Sequence, residues 1–141
     1  MKILLIDDSQ VKIERISEYL TSINLLDLTI KKSYHSALKE LLGDIKYELI
    51  LLDISIPSFD VKSEFMPSGG KNLFNQIYMN GLTSKVIVIT LYKSFDDGSL
   101  MENLHKQFSE EYSENYLGYI IFNTADTKWQ SDLFLALKNI Q

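Results

Sequence analysis

Short apolar runs alternate along the chain with longer stretches of helical period. Four runs of four residues, Ile3 to Ile6, Leu49 to Leu52, Val86 to Ile89 and Tyr119 to Phe122, are rich in Ile, Val, Leu or aromatics, and each is followed by polar residues. Strands of a parallel sheet covered on both faces read this way. In Leu26 to Lys31 apolar and polar residues alternate, which predicts a half-exposed edge strand. Between the runs, Val11, Ile13, Ile16, Leu20 and Ile23 predict a helix with Ser9 or Asp8 as its N-cap. One stripe, Ala37, Leu38, Leu41 and Leu42, stops at Gly43, and another, Leu73, Phe74, Ile77 and Tyr78, stops at Gly81. Both glycines suit a C-terminal cap. Met101, Leu104, Phe108 and Tyr112 predict a fourth helix, and Trp129, Leu133, Ala136, Leu137 and Ile140 a fifth.

Strand and helix thus alternate five times, which means βαβ units, a five-stranded parallel sheet and helices on both faces. In such an α/β fold the ligand site lies beyond the C-terminal ends of the strands. Besides the region after Thr90, one connection, Ile54 to Ser68 with Pro57 and Pro67, is long for a compact domain. It is expected to act as a lid or a docking loop.

Composition narrows the class. The 141 residues are one domain's worth of chain, residues 1–141, with 45% apolar and 23% charged residues, near the average for a folded domain. The absence of cysteine excludes a disulfide framework, a thiolate metal site and a Cys nucleophile. A net charge of -5 argues against nucleic acid or an anionic membrane as partner, since both need clustered Lys and Arg. The first apolar run is too short for a secretory signal, and no stretch approaches the roughly 18 apolar residues of a membrane span. A cytoplasmic location is expected. Between Ser94 and Glu114 stand six acids (Asp96, Asp97, Glu102, Glu110, Glu111, Glu114) and one base (Lys106), so this segment carries the whole -5.

The strand ends hold the candidate chemistry. The first predicted strand ends in Asp7 and Asp8, the third in Asp53 and the fourth in Thr90. If those strands are adjacent, three carboxylates converge on one edge. A hard divalent cation with oxygen ligands relieves their repulsion, and Mg²⁺ fits.

These residues carry a family resemblance. Ile3 to Ser9, Leu49 to Pro57 with its Asp53, Val86 to Thr90, and Gly118 to Ile121 together resemble the receiver (CheY-like) domain of two-component response regulators. The resemblance covers essentially the whole chain and implies the strand order 2-1-3-4-5 of the flavodoxin-like fold. It further implies that Asp53 accepts a phosphoryl group from a histidine kinase or phosphotransfer protein. Asp8, Asp53 and the backbone carbonyl of Ser55 would hold Mg²⁺, with Asp7 acting through a bound water. Thr90 would contact the phosphoryl group, and Tyr119 matches the aromatic that changes rotamer in response. The acidic segment 94–114 would fall on the output face and suit a partner with a basic surface. A second copy of the chain is a further candidate partner.

The resemblance breaks at the end of strand five. Receivers carry a Lys there, usually followed by Pro, where this chain has Phe122 and Asn123. The nearest lysines in sequence, Lys128 and Lys93, read as solvated surface residues. Leu91, bulky where receivers place a small residue, is expected to crowd the approach. Other signals weigh less. Ser68-Gly69-Gly70-Lys71 lacks the glycine spacing of a phosphate-binding loop, so Gly70 reads as the start of the third helix. His35 and His105 read as structural, without a partner at ligand spacing, and Ser9 has no His for a triad. The expected function is a stand-alone atypical receiver in a phosphorelay, phosphorylated on Asp53 and not an enzyme. Its rivals are a pseudo-receiver interaction module and a small Mg²⁺-dependent phosphohydrolase. Ser55 counts against the last, because it stands where such enzymes place a second acid.

Overall fold

The computed structural model describes residues 1–60, 69–91, 93, 98 and 100–140. Its elements run β1 (Ile3–Ile6), α1 (Gln10–Ser22), β2 (Leu28–Lys31), α2 (Tyr34–Leu41), β3 (Leu49–Leu52), α3 (Gly69–Met79), β4 (Lys85–Thr90), α4 (Met101–Glu111), β5 (Tyr116–Ile121) and α5 (Lys128–Lys138). The strands form one parallel sheet in the order β2-β1-β3-β4-β5, as expected.

Side chains alternate across a strand, so each central strand feeds two cores. Leu4, Ile6, Ile50, Leu52, Val86 and Val88 pack with Ala37, Leu73, Phe74, Leu104 and Phe108 of α2, α3 and α4. Ile3, Leu5, Leu49, Leu51, Ile87 and Ile89 pack on the other face with Ile13, Ile16 and Leu20 of α1 and Trp129, Leu133 and Leu137 of α5. Every residue of β1 and β3 is buried, at about 1.5–3 kcal/mol for each large aliphatic side chain removed from water. The two strands are locked in register, with Ile6 opposite Leu52. Their next residues, Asp7 and Asp53, therefore emerge side by side.

Helix ends follow local chemistry. The Ser9 hydroxyl accepts from the Lys12 backbone N–H and caps α1. At the other end Asn24 adopts φ 65°, and Asn24 and Leu25 donate to the carbonyls of Thr21 and Leu20, a Schellman motif closed by Asn instead of Gly. Gly81, at φ 66°, closes α3 in the same way, with Gly81 and Leu82 donating to Tyr78 and Ile77.

Some expectations shift. β2 begins at Leu28, and Leu26 is exposed. Gly43 is not a left-handed cap, because α2 stops at Leu41 and is closed by Leu42 in a right-handed conformation. β5 starts three residues early, at Tyr116. Leu117 is an extra residue between the pairs Val86–Tyr116 and Ile87–Gly118, and Gly118 takes the φ of 133° beside this bulge. On α1, Val11 faces solvent and Lys12, 1% exposed, takes the buried place.

Candidate functional site

Asp7, Asp8 and Asp53 meet beyond the C-terminal ends of β1 and β3, with a carboxylate oxygen from each within 4.8 Å of the others. The backbone sets this up: Asp53 N–H donates to the Ile6 carbonyl and Asp7 N–H to that of Lys31. Asp7 and Asp53 are buried and Asp8 is exposed. Asp7 Oδ1 accepts from the Ser9 N–H at 2.9 Å. Burial pushes the Asp7 carboxyl up to about 6, against the pull of the Lys12 ammonium and with some help from the Asp53 charge. Burial, and then Asp53, also raises Asp8. Among the described residues no other group of three or more His, Cys, Asp or Glu side chains converges in this way.

A cation already enters the cluster. The Lys12 ammonium, carried on the buried face of α1, lies 2.5 Å from Asp7 Oδ2 and 3.3 Å from Asp53 Oδ2. It also donates to the Ile89 carbonyl at 2.8 Å. One ammonium thus ties the ends of β1, β3 and β4 together. Asp53 Oδ1 remains buried with no hydrogen-bond partner among the described residues. Three carboxylates, one of them with an unsatisfied buried oxygen, form the oxygen-rich donor set that Mg²⁺ takes.

Thr90 is fully buried at the end of β4, and its carbonyl accepts from the Phe122 N–H. Ser55 is half-buried in the connection that leaves Asp53. Tyr119, half-buried on β5, meets the His105 ring edge-on at 5.2 Å. It lines a groove of about 300 Å³ with Lys93, Leu100, Met101, Glu102 and Ile121, away from the carboxylates. His105 Nδ1 is 2.8 Å from the Tyr116 hydroxyl, and His35 stacks on Phe59. Neither histidine belongs to the carboxylate cluster.

The connection after Asp53 is docked at its start. Tyr34 and His35, at the N-terminus of α2, donate backbone N–H groups to the carbonyls of Pro57 and Ser58, and the Ser36 hydroxyl donates to Asp60 at 2.9 Å. Helix-start donors that would otherwise face water hold the segment down. The rest of the expected lid, Ser68 included, lies outside the described residues, as do Asp96 and Asp97 of the acidic segment. At the far end, Gly70 opens α3 against the backbone of Asp53. Its N–H donates to the Ile54 carbonyl at 2.8 Å, and a Cβ there would fall 2.2 Å from the Asp53 carbonyl oxygen.

Phe122 is a core residue, 1% exposed, with its ring 5.0 Å from that of Trp129. Lys128 is exposed and pairs with Asp132, and Lys93 is exposed on the groove. The surface reading holds for both. Leu91 is 39% exposed beside the site. The residue that pattern reading passed over is Lys12, and the signal was present: Lys12, Ile16 and Leu20 follow one another at four-residue steps on one helix face.

No family model matches the chain. Among curated proteins it is similar to the Detocs response regulatory protein DtcB of Enterobacter cloacae, 26% identical over 144 residues that cover 94% of this chain and 95% of DtcB. It is also similar to the uncharacterized protein y4jR of Sinorhizobium fredii, 23% identical over 149 residues, with 99% and 95% covered. A two-component response regulator from Legionella pneumophila superposes with a TM-score of 0.66 at 24% identity over 99% of this chain and 98% of its own. The response regulator TrrA from Thermotoga maritima, solved in complex with Mg²⁺-BeF, gives 0.65 at 21% identity, with all of both chains covered. Element order, sheet order and these superpositions agree: the chain has the fold of the CheY-like receiver domains of response regulators.

Proposed function

We propose that residues 1–141 act as one receiver domain in two-component signalling, with Asp53 as a Mg²⁺-dependent phosphoryl acceptor. The observation that carries this reading is Asp53 Oδ1, a buried carboxylate oxygen left without a hydrogen-bond partner among the described residues. Such an oxygen costs about 1–3 kcal/mol to leave unsatisfied and is the free lone pair that a nucleophile needs. In the proposed step Asp53 attacks the phosphorus of a phosphohistidine on a kinase or phosphotransfer protein. An O–P bond forms, the N–P bond breaks, and its electron pair returns to the imidazole nitrogen. Asp8, Asp53 and the Ser55 carbonyl would hold the metal, and Asp7 would act through a bound water. Bound there, Mg²⁺ supplies positive charge to the phosphoryl oxygens. Thr90 donates its hydroxyl to the new phosphoryl group, and Tyr119 reports the change to the face of α4 and β5.

The output partner in this reading is a protein with a basic surface, acting in the cytoplasm and without nucleic acid or membrane. Glu102, Glu110, Glu111 and Glu114 all stand exposed on or beside α4. Reversing Glu110 and Glu111 should weaken that complex and flatten its salt dependence; unchanged binding would remove the argument. A homodimer is the alternative use of the same face.

Incubation with Mg²⁺ and acetyl phosphate, or with Mg²⁺ and beryllofluoride, tests the central reading. A mass shift that Asp53→Asn abolishes supports it, and the absence of any adduct overturns it. One observation favours a second reading, a pseudo-receiver that signals without phosphorylation: Lys12 already sits on Asp7 and Asp53 as a built-in cation. That reading loses if Asp53→Asn abolishes signalling in cells while the protein stays folded.

A further inference from the structure

We infer that Lys12, delivered from α1, is the phosphoryl-contacting cation of this site. The inference rests on the phosphoryl-acceptor reading of Asp53 and deepens it. Three observations carry it. First, the Lys12 ammonium is 3.3 Å from Asp53 Oδ2, while the other oxygen of the same carboxylate, Oδ1, has no hydrogen-bond partner among the described residues. An O–P bond formed at Oδ1 places the phosphoryl oxygens next to a cation already touching that carboxylate. Second, Lys12 is 1% exposed, so its charge acts at low dielectric and its charge-assisted hydrogen bonds are strong ones. Third, among the described residues Lys12 is the one cation that forms an ion pair with Asp7 or Asp53. Phe122 fills the end of strand five with a ring packed on Trp129, Lys128 is paired with Asp132, and Lys93 is exposed on the groove beside Tyr119.

Charge balance points the same way. Three ionised carboxylates and one ammonium leave two negative charges, which one divalent cation neutralises. Transfer of a phosphoryl group then adds negative charge that Lys12 is placed to share. Lysine suits the task better than arginine: its ammonium is a compact point charge with three donors, and its four-carbon stem lets the head swing from Asp7 toward a group growing on Asp53. The contact to the Ile89 carbonyl is the one Lys12 can keep through that swing, which anchors the head beside the end of β4.

A buried counter-ion for the acids predicts a different result from a phosphoryl contact, and Lys12→Met separates them. Removing a positive charge from the carboxylates should hold or tighten Mg²⁺ binding, read by calorimetry. The same substitution should weaken the Mg²⁺-beryllofluoride complex about tenfold to a hundredfold, the range of a lost charged hydrogen bond. If Mg²⁺ and the beryllofluoride complex both bind as well as in the parent protein, or better, Lys12 is a counter-ion only and the inference is overturned. The parent protein supplies a second measurement, independent of whether the variant folds. In ¹⁵N-lysine-labelled protein the Lys12 ammonium resonance should move on adding beryllofluoride to the Mg²⁺-saturated sample, and a resonance that stays in place overturns the inference. A parent protein that forms no adduct at all refutes the phosphoryl-acceptor reading itself, a result distinct from an adduct that does not depend on Lys12.

Discussion

A carboxyl held near pH 6 sets how the site responds to acid. Asp7 is raised from 3.8 to about 6, chiefly because burial disfavours its charge. Its folded-state value stands above the unfolded one, so its contribution to stability is fully present below pH 3.8 and is lost as pH rises through about 6. Metal binding runs the opposite way, since a ligand set must release its protons to take a cation. The Mg²⁺ affinity of the protein should therefore rise between pH 5 and pH 7, while the metal-free fold loses some stability over the same interval. Calorimetric titration and thermal melts across this range check both signs; a flat Mg²⁺ affinity would mean that Asp7 has no part in holding the metal. The acids themselves were legible as residues, because strand ends are where an α/β sheet places its chemistry. Lys12 was not, although it shares a helix face with Ile16 and Leu20. A pattern built on apolar positions has no place for a charged residue in a buried row, and Val11, apolar and one residue away, took its place in the stripe.

At the scale of elements, the start of α3 and the end of β3 form one unit. The N–H of Gly70 bonds to the Ile54 carbonyl, and the approach is so close that a single added carbon would meet the Asp53 carbonyl oxygen at 2.2 Å. Neither backbone can yield without moving Asp53. Gly70→Ala is expected to destabilise the fold by about 1–3 kcal/mol, the usual range for overpacking, and to weaken Mg²⁺ binding as well. Gly81→Ala is the control. Gly81 stands in open space at φ 66°, so alanine there should cost about 1 kcal/mol in backbone strain and leave Mg²⁺ binding unchanged. Equal effects of the two substitutions on Mg²⁺ would break the link between α3 and the site. Sequence placed Gly70 at the start of a helix, since a glycine pair before an apolar stripe reads as a boundary. It could not show why glycine is needed, because the neighbour is backbone more than a dozen positions earlier. The bulge at Leu117 was hidden for a related reason: it depends on the pairing with Val86 and Ile87, which one strand's own residues do not reveal.

Across the whole molecule, the site joins the ends of the two central strands, and this couples ligand binding to global stability. β1 and β3 are buried throughout and pair with each other residue by residue. Asp7, Asp8 and Asp53 therefore converge only while the sheet is intact. The arrangement was legible from the alternation of apolar runs and helical stripes, which fixes the layers. The order of the strands came from resemblance, since neither period nor composition says which runs are neighbours. A ligand that binds only the folded sheet stabilises it by mass action, and Mg²⁺ at a hundredfold its dissociation constant should add about 2.7 kcal/mol. Asp53→Asn should remove most of that gain. In the metal-free protein the same substitution relieves one of three crowded charges and is expected to be neutral or stabilising. Denaturant unfolding with and without Mg²⁺ reads both effects, and opposite signs in the two conditions are the signature of a cation site at the sheet's edge. A loss of stability of equal size in both would assign Asp53 to the scaffold and leave the site without its acceptor.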